Sequence, residues 1–519
     1  MGIIAKQSIQ GTIVTDLGVA VGFVTTFFVL TRFLSAEEIG LARVLVDAAT
    51  LFIGLAQLGT SSSIIRFYPH FKAKGEEHPK TPRAFSGTPL RREAKGEGTD
   101  HGFFFWTLIV PLVGFALFTA IYCACHEPLS RWFGEKSPLF VEYYYMVLPM
   151  AFFMLYQTIF ETNANVRMHI VVPRAVRELI TRIGLLVVYL LYAFECLTIN
   201  GFVVALCGVY AIAMLCNMGY LFSLGEIALR PDWEFLRNNR LLIRQYLLYT
   251  GFLLISAVAS VLAPTLSSFF ITAEMGLNYT GIFAIATYIA VMVSIPYRSM
   301  TAIASPQLAT AIKENNQSET TLLMQQVSRS ILLIGCIILC VIWLNIDLIF
   351  HILPNGETYA SARYVVLLLG VSQLFIATCS ITSSALNYSR FYAFSLLFSV
   401  LLTVMSIFLN NSLIPVLGMN GAAISNLIAY AVYFILIVIT VRLTLRTPTF
   451  AREHIYIVLL FAAVFLLNHL WQHYLPIQNI WLSSIIRSVV LLGAAISVAW
   501  FADLSPEINQ QIKSFLSKN

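Results

Sequence analysis

The sequence predicts an all-α integral membrane protein of about fourteen transmembrane helices, and three observations indicate this fold class. The 519 residues are 58% hydrophobic and 11% charged, with a mean hydropathy of +0.79, whereas soluble domains carry roughly 25% charged residues. The apolar runs reach the length of about 20 residues that a helix needs to cross a bilayer. They are continuous, which favours helices over the alternating strands of a β-barrel.

Each apolar run is predicted to be one membrane span. The first run is too long for the hydrophobic region of a cleavable signal peptide, so it is predicted to remain in the protein. The predicted spans are 9–31, 41–66, 103–124, 138–162, 172–194, 200–222, 244–271, 280–302, 324–346, 361–385, 390–411, 417–441, 454–472 and 479–502.

The placement of basic residues predicts how the spans are oriented. When alternate loops are compared, 26 of the 32 Lys and Arg residues fall on one side of the predicted membrane. Basic residues accumulate in cytoplasmic loops, so both termini are predicted to be cytoplasmic. This placement also explains the net charge of +6 without a nucleic-acid partner.

The loops differ in size between the two predicted faces. The outer loops are all short, which argues against an enzyme that holds its acceptor and catalytic carboxylates outside the membrane. The largest loop, 67–102, is basic and predicted to be cytoplasmic. It is either a solvated connector or a contact for anionic lipid headgroups.

The chain contains an internal repeat. Leu-Thr-Ile-Asn-Gly at 197–201 recurs as Leu-Gly-Met-Asn-Gly at 417–421, and each copy is followed nine residues later by Tyr-Ala. Gly40 at the start of span 2 likewise corresponds to Gly281 at the start of span 8. The same number of spans separates the matched points, so the repeat is parallel, as in several alternating-access transporters.

The repeat divides the chain into four predicted segments. They are an N-terminal six-helix bundle at 1–222, a cytoplasmic amphipathic linker at 223–243, a C-terminal six-helix bundle at 244–445, and two additional helices with a cytoplasmic tail at 446–519.

Three stretches resemble the Wzx-type oligosaccharide flippases of the multidrug/oligosaccharidyl-lipid/polysaccharide (MOP) exporter superfamily, whose multidrug branch is called MATE. Residues 30–41 (LTRFLSAEEIGL) resemble the hairpin between the first two spans of that family. Residues 58–67 (LGTSSSIIRF) are similar to the end of its second span, and residues 411–423 (NSLIPVLGMNGAA) to its hairpin between spans 11 and 12.

The resemblance implies two bundles around a central cavity and a function in polysaccharide biosynthesis. Such a protein moves a polyprenyl-diphosphate-linked glycan from the inner to the outer leaflet of the bacterial cytoplasmic membrane, for O-antigen, capsule or exopolysaccharide. Its expected partners are that glycan lipid, membrane lipids, a polysaccharide polymerase and other assembly proteins. No cofactor is expected, and the sequence lacks a Gly-rich loop of the Walker type for ATP.

Two other functions remain open on the sequence. A cation-coupled multidrug exporter of the MATE type would use the same scaffold for a different ligand. A membrane-embedded glycosyltransferase or ligase would belong to another class, and the short outer loops argue against it.

Charged residues within the apolar runs are the candidate site, because each costs at least about 2.5–3.5 kcal/mol at mid-membrane unless it faces a cavity or a partner. Arginine suits a diphosphate because its planar fork binds phosphate oxygens bidentately. Asp16 is the candidate for ion coupling. The predicted substrate-binding residues are Arg32, Arg43, Asp47, Arg66 and Arg298.

Each candidate also has a structural alternative. Arg66 and Arg298 lie near the inner interface, where a long side chain can extend to the headgroups. Arg43 and Asp47 are one helical turn apart and could neutralise each other. Asp16 could serve helix packing. Glu178 and Arg182 are also one turn apart near the inner start of span 5, and Arg487 in span 14 is predicted to be structural.

Overall fold

The structure is a computed structural model that describes residues 14–15, 17–71, 102–167, 169–225, 262–474 and 479–516. These residues form helices with short connections, and no strand occurs among them. The predicted all-α class is confirmed. It follows from the apolar runs, because a chain in lipid must satisfy its backbone hydrogen bonds within each helix.

The helices of the first part of the chain are mostly long and apolar. One of them, α8, runs from Val171–Ala175 through a π-helical turn at Val176–Ile180 into Thr181–Ala193. The others are α1 Leu17–Phe33, α2 Ala36–Ala56, α3 Thr60–Phe71, α4 Phe103–Ala124, α5 His126–Gly134, α6 Pro138–Glu142, α7 Val147–Val166 and α9 Ile199–Ser223.

The second part continues in the same manner after residue 262. Its helices are α10 at 262–274, α11 Leu277–Lys313, α12 Gln317–Leu344, α13 Ile346–Ile352, α14 Gly356–Ala360, α15 Arg363–Tyr388, α16 Tyr392–Leu417, α17 Met419–Thr444, α18 Arg452–Tyr474, α19 Ile480–Phe501 and α20 Pro506–Leu516.

Ten helices among the described residues are long and apolar enough to cross a membrane, and Leu17–Phe33 is a shorter apolar helix. The multi-pass architecture is therefore confirmed, whereas the count of fourteen spans stays a prediction. Most of the predicted span 244–271, the basic loop 67–102 and the linker 223–243 lies outside the described residues.

Several helices were not predicted because they are short or amphipathic. His126–Gly134 lies in a predicted outer loop, and Ile346–Ile352 and Gly356–Ala360 lie in another. Pro506–Leu516 follows the last predicted span, and its apolar residues recur at 508, 512, 515 and 516. That spacing places one apolar stripe on an otherwise polar helix, which a search for long apolar runs does not detect.

The chain divides into two compact units, and the division does not follow the chain order. The described residues of unit 1 fall within 1–25, 45–131 and 141–261, and those of unit 2 within 26–44, 132–140 and 262–519. Unit 2 thus takes two pieces of the predicted N-terminal bundle. In it, Ser137 Oγ donates a 2.6 Å hydrogen bond to the Thr272 carbonyl oxygen.

The two helices that are predicted to lie outside the repeat pack into the core of unit 2. Cys336 and Cys340 of α12 share a buried hydrophobic cluster with Phe461 of α18 and Leu492 of α19. These cysteines act as small apolar side chains. The helices predicted at 446–519 are therefore integrated into this unit.

A reciprocal glycine contact brings α2 and α11 together within unit 2. A Cβ atom on Gly40 would overlap the Leu277 carbonyl oxygen, and a Cβ atom on Gly281 would overlap the Ala36 carbonyl oxygen. Each glycine approaches the carbonyl that lies four residues before the other glycine. This symmetry supports the equivalence of the two positions in the predicted repeat, and small residues permit such a close approach of helices.

Candidate functional site

Arg43 is the predicted site residue with the clearest contact to another helix. Its side chain is half-buried in α2, and its Cζ atom lies 5.8 Å from the centroid of the Tyr288 ring of α11. The face of an aromatic ring attracts a guanidinium. The contact places a basic side chain between the apolar helices α2 and α11.

Asp47 follows Arg43 by one turn of α2 and is 6% exposed. Residues four apart share one face of a helix, so the predicted common face is present in the structure. The two side chains provide a cation and a carboxylate on a helix that is otherwise apolar along most of its length.

Arg32 and Arg298 are both exposed. Arg32 is at the end of α1, where its Cζ atom is 5.5 Å from the centroid of the neighbouring Phe33 ring. Arg298 lies ten residues beyond Tyr288 on α11, a distance of roughly 15 Å along a helix axis. The structure therefore does not bring Arg298 next to Arg43.

The structure gives no geometry for the two remaining candidates. Asp16 lies outside the described residues, and Arg66 belongs to α3 but its side chain is not described. Ion coupling at Asp16 and phosphate binding at Arg66 stay predictions.

Unit 1 contains a charged network that the sequence revealed only in part. The predicted pair is present, because Arg182 Nη2 lies 2.8 Å from Glu178 Oε2. Arg177 extends the pair, with Nε 3.3 Å from Glu178 and Nη1 2.7 Å from Glu161. Arg182 also donates a 2.6 Å hydrogen bond to the Gly18 carbonyl oxygen of α1. The network joins α1, α7 and α8.

Glu161 was missed because its partner is on another helix. It lies near the end of the predicted span 138–162, 16 residues before Arg177, and no fixed spacing in the sequence links the two. Its side chain is 9% exposed, whereas that of Arg177 is 50% exposed. The available signal was the carboxylate itself, because an acidic residue inside a span requires a partner.

Unit 2 contains a second network, around Arg329 of α12. Its guanidinium forms an ion pair with Glu507 of α20 and lies 3.6 Å from Glu453 of α18. His454 is buried next to it, accepts a hydrogen bond from the Ala451 amide at Nδ1, and is 2.9 Å from Ser328 Oγ at Nε2. These contacts fasten α18 and α20 to α12.

The other end of unit 2 holds structural cations. Arg487 is 3% exposed and donates hydrogen bonds to the Ser483 carbonyl oxygen at 3.2 Å and to Asn468 at 3.4 Å, as its predicted structural role requires. Arg363 pairs with Asp347 at 2.9 Å. Burial raises the pKa of Tyr359 to about 12, so this phenol stays neutral.

The long apolar helices, with a few charged side chains held inside them, define a polytopic membrane protein. A comparison with family profiles agrees with this class and identifies a particular family. The chain belongs to the polysaccharide biosynthesis protein family, whose profile matches residues 6–310.

Solved structures with the same fold come from the MOP superfamily. The lipid II flippase MurJ in an inward closed conformation has a TM-score of 0.68 at 13% identity, over 96% of this chain and 99% of that chain. An inward-facing MATE family multidrug resistance transporter has a TM-score of 0.59 at 16% identity, over 86% and 96%. The Vibrio cholerae MATE transporter VcmN has a TM-score of 0.55 at 13% identity, over 85% and 99%.

These identities establish a common fold and no more than that. A search among proteins of curated function finds no significant match.

Proposed function

We propose that this protein is a flippase that moves a polyprenyl-diphosphate-linked oligosaccharide from the inner to the outer leaflet of the bacterial cytoplasmic membrane. Membership of a polysaccharide biosynthesis family and a MOP-type fold support this proposal. The observation that carries it is the half-buried guanidinium of Arg43, which packs on Tyr288.

The chemistry of the substrate fits this cation. A diphosphate crossing the membrane needs positive charge in a low-dielectric passage, and an arginine fork binds two phosphate oxygens at once. The glycan follows through the polar passage while the polyprenyl tail stays in lipid. Alternating access of two six-helix bundles, with both termini in the cytoplasm, completes the proposal. A polysaccharide polymerase would take up the product at the outer leaflet.

Two acidic residues of the predicted outer segments bear on the alternative of a glycosyltransferase or ligase. Glu127 of α5 lies 3.7 Å from Arg131, and Asp347 of α13 lies 2.9 Å from Arg363. Both carboxylates are engaged in ion pairs and are not arranged as a catalytic pair.

A reconstituted flipping assay tests the proposal. The purified protein is placed in proteoliposomes with a fluorescent polyprenyl-diphosphate oligosaccharide, and a membrane-impermeant reducing agent quenches the outer leaflet. The Arg43→Ala variant should flip the lipid about tenfold to a hundredfold more slowly, because one charge-assisted phosphate contact contributes roughly 1.5–3 kcal/mol. Arg43→Lys should retain part of the rate, because the charge remains and the fork is lost.

Arg131→Ala is the matched control, since it removes an exposed arginine from a surface helix. It should flip the lipid at the wild-type rate. A wild-type rate for Arg43→Ala would refute the role of Arg43. A wild-type protein that flips no glycan lipid but exports a cationic dye against a proton or sodium gradient would refute the proposed function and favour the multidrug alternative.

A further inference from the structure

A cavity of about 440 Å³ lies in unit 2 at one end of its helices. Its walls come from the end of α11, the start of α12, and the connections α15–α16 and α17–α18. All these connections belong to the face that the charge distribution predicts to be cytoplasmic. The volume is within the range of about 300–1,000 Å³ of small-molecule sites.

The charge of the cavity wall is positive. Lys313 and Arg390 line it, and none of the acidic residues in the described part of the chain does. Neither base forms an ion pair with a carboxylate among the described residues. Glu319 is close in sequence, but its carboxylate accepts a 3.0 Å hydrogen bond from Asn316 at the cap of α12.

Part of this positive charge has a simple cause. Three helices, α11, α15 and α17, end at the cavity, and the carbonyl ends of helices attract cations. That effect accounts for a basic residue in a last turn. It does not account for a cavity that both bases line.

Thr447 contributes a buried hydroxyl to the cavity wall. It lines the cavity, it is 1% exposed, and its Oγ1 atom has no hydrogen-bond partner among the described residues. A buried hydroxyl without a partner is unfavourable, and such groups are rare in folded proteins. The oxygen itself is buried, so a ligand in the cavity accepts this hydrogen bond and removes the penalty once a rotation about χ1 turns the hydroxyl toward it.

The wall is held in place before any ligand binds. Gln325 Nε2 donates a 3.0 Å hydrogen bond to the Pro448 carbonyl oxygen, next to Thr447. Ser389 Oγ accepts from the Phe391 amide at 3.1 Å, and the Arg390 Cζ atom lies 4.8 Å from the centroid of the Phe391 ring. A stacked guanidinium keeps its N–H groups free to bind an oxyanion.

We propose that this cavity binds the phosphate group of a small phosphorylated molecule or of an anionic lipid headgroup. Lys313 and Arg390 contact the phosphate oxygens, and Thr447 Oγ1 donates to one of them. The cavity exceeds what a phosphate alone needs, so a glycerol or sugar moiety shares it. Tyr388 at the rim is 47% exposed, and half-exposed tyrosines are typical of the headgroup level of a membrane.

Thermal stability of the full-length protein in phosphatidylcholine nanodiscs tests the proposal and separates the two sources. One arm adds phosphatidic acid to the nanodiscs, and the other adds glycerol 3-phosphate to the buffer. A saturable rise in Tm is expected in at least one arm, because a ligand of the native state stabilises it. A response to phosphatidic acid alone assigns a lipid headgroup, and a response to glycerol 3-phosphate assigns a free phosphorylated molecule.

Three variants identify the site. Thr447→Val should weaken the response about tenfold in ligand concentration, and it should not lower Tm without ligand, because it removes an unsatisfied hydroxyl. Lys313→Gln with Arg390→Gln should weaken it about a hundredfold. The matched control, Arg131→Gln with Lys136→Gln, removes two exposed charges from the opposite predicted face and should respond as wild type.

Two results would overturn the proposal. One is a wild-type protein that neither probe stabilises, and the other is a wild-type response in the variant that lacks both bases. If that double variant fails to fold, the single variants Thr447→Val and Arg390→Gln replace it, and a wild-type response in both would overturn the proposal. The outcome does not depend on the proposed flippase function, because the assay measures ligand binding and no transport.

Discussion

The ion networks of the two units have opposite arrangements of charge. In unit 1 the carboxylates are buried, at 9% and 14% exposure for Glu161 and Glu178, and the arginines that cover them are 50% and 33% exposed. In unit 2 the arginine is buried, at 11% for Arg329, and its carboxylates Glu453 and Glu507 are 37% and 22% exposed. In each network, a buried charge of one sign is thus covered by more exposed side chains of the opposite sign.

The difference indicates what each network does. The network of unit 2 places the buried Arg329 at the junction of α12, α18 and α20, so its two carboxylates connect two peripheral helices to a central one. The network of unit 1 leaves Arg177 and Arg182 partly exposed while they neutralise the carboxylates. Removing a covering residue should be worse than neutralising the buried one, because only the first change leaves an uncompensated buried charge.

The largest effect is expected for Glu507→Ala. It leaves the buried Arg329 with only Glu453 at 3.6 Å, and breaking a buried pair costs about 3–5 kcal/mol. The free energy of unfolding in detergent or bicelles measures this loss, and limited proteolysis should show that α20 is released. Adding Arg329→Met should restore much of the stability. Wild-type stability of Glu507→Ala would show that the network does not hold α20.

A smaller effect is expected for Arg177→Ala in unit 1. It removes the partner of the buried Glu161, but Arg177 is 50% exposed, so solvent screening reduces the loss to about 2 kcal/mol. The Glu161→Gln change should cost less, and the double variant should be close to Glu161→Gln alone. The opposite order, with Glu161→Gln as the more damaging change, would contradict the proposed asymmetry.

The smallest effect is expected for an exposed pair that belongs to neither network. Glu127 and Arg131 lie 3.7 Å apart with side chains that are 82% and 84% exposed. Exposed ion pairs contribute roughly 0.5 kcal/mol or less, so Glu127→Ala should unfold almost as the wild type does. A loss similar to that of Arg177→Ala would mean that burial does not explain the other two effects.

The fold could be predicted because membrane helices leave a strong local signal. Lipid requires long apolar runs, and Phe103–Ala124 and Ile199–Ser223 lie within about one residue of the predicted bounds. The amphipathic helix Pro506–Leu516 carries no such signal. Its position depends on the Arg329 ion pair and on the contact of Ile508 with the apolar cluster of unit 2.

The candidate site could be predicted only where both partners share one helix. Glu178 and Arg182 are four residues apart, and so are Arg43 and Asp47, which makes each pair visible in the sequence. The contact of Arg43 with Tyr288 and the pair of Glu161 with Arg177 join different helices. Such partners depend on tertiary packing, which spacing along one chain does not encode.

The glycine contact between α2 and α11 has a consequence for how these two positions can vary among related proteins. An added methyl group at Gly40 or Gly281 would overlap main-chain carbonyl oxygen atoms. Every residue type has this carbonyl group, so no side-chain substitution elsewhere removes the overlap. A change at one position therefore has no compensating change at the other. In an alignment, both columns should be restricted to glycine independently, without the correlated exchanges that mark ordinary side-chain contacts.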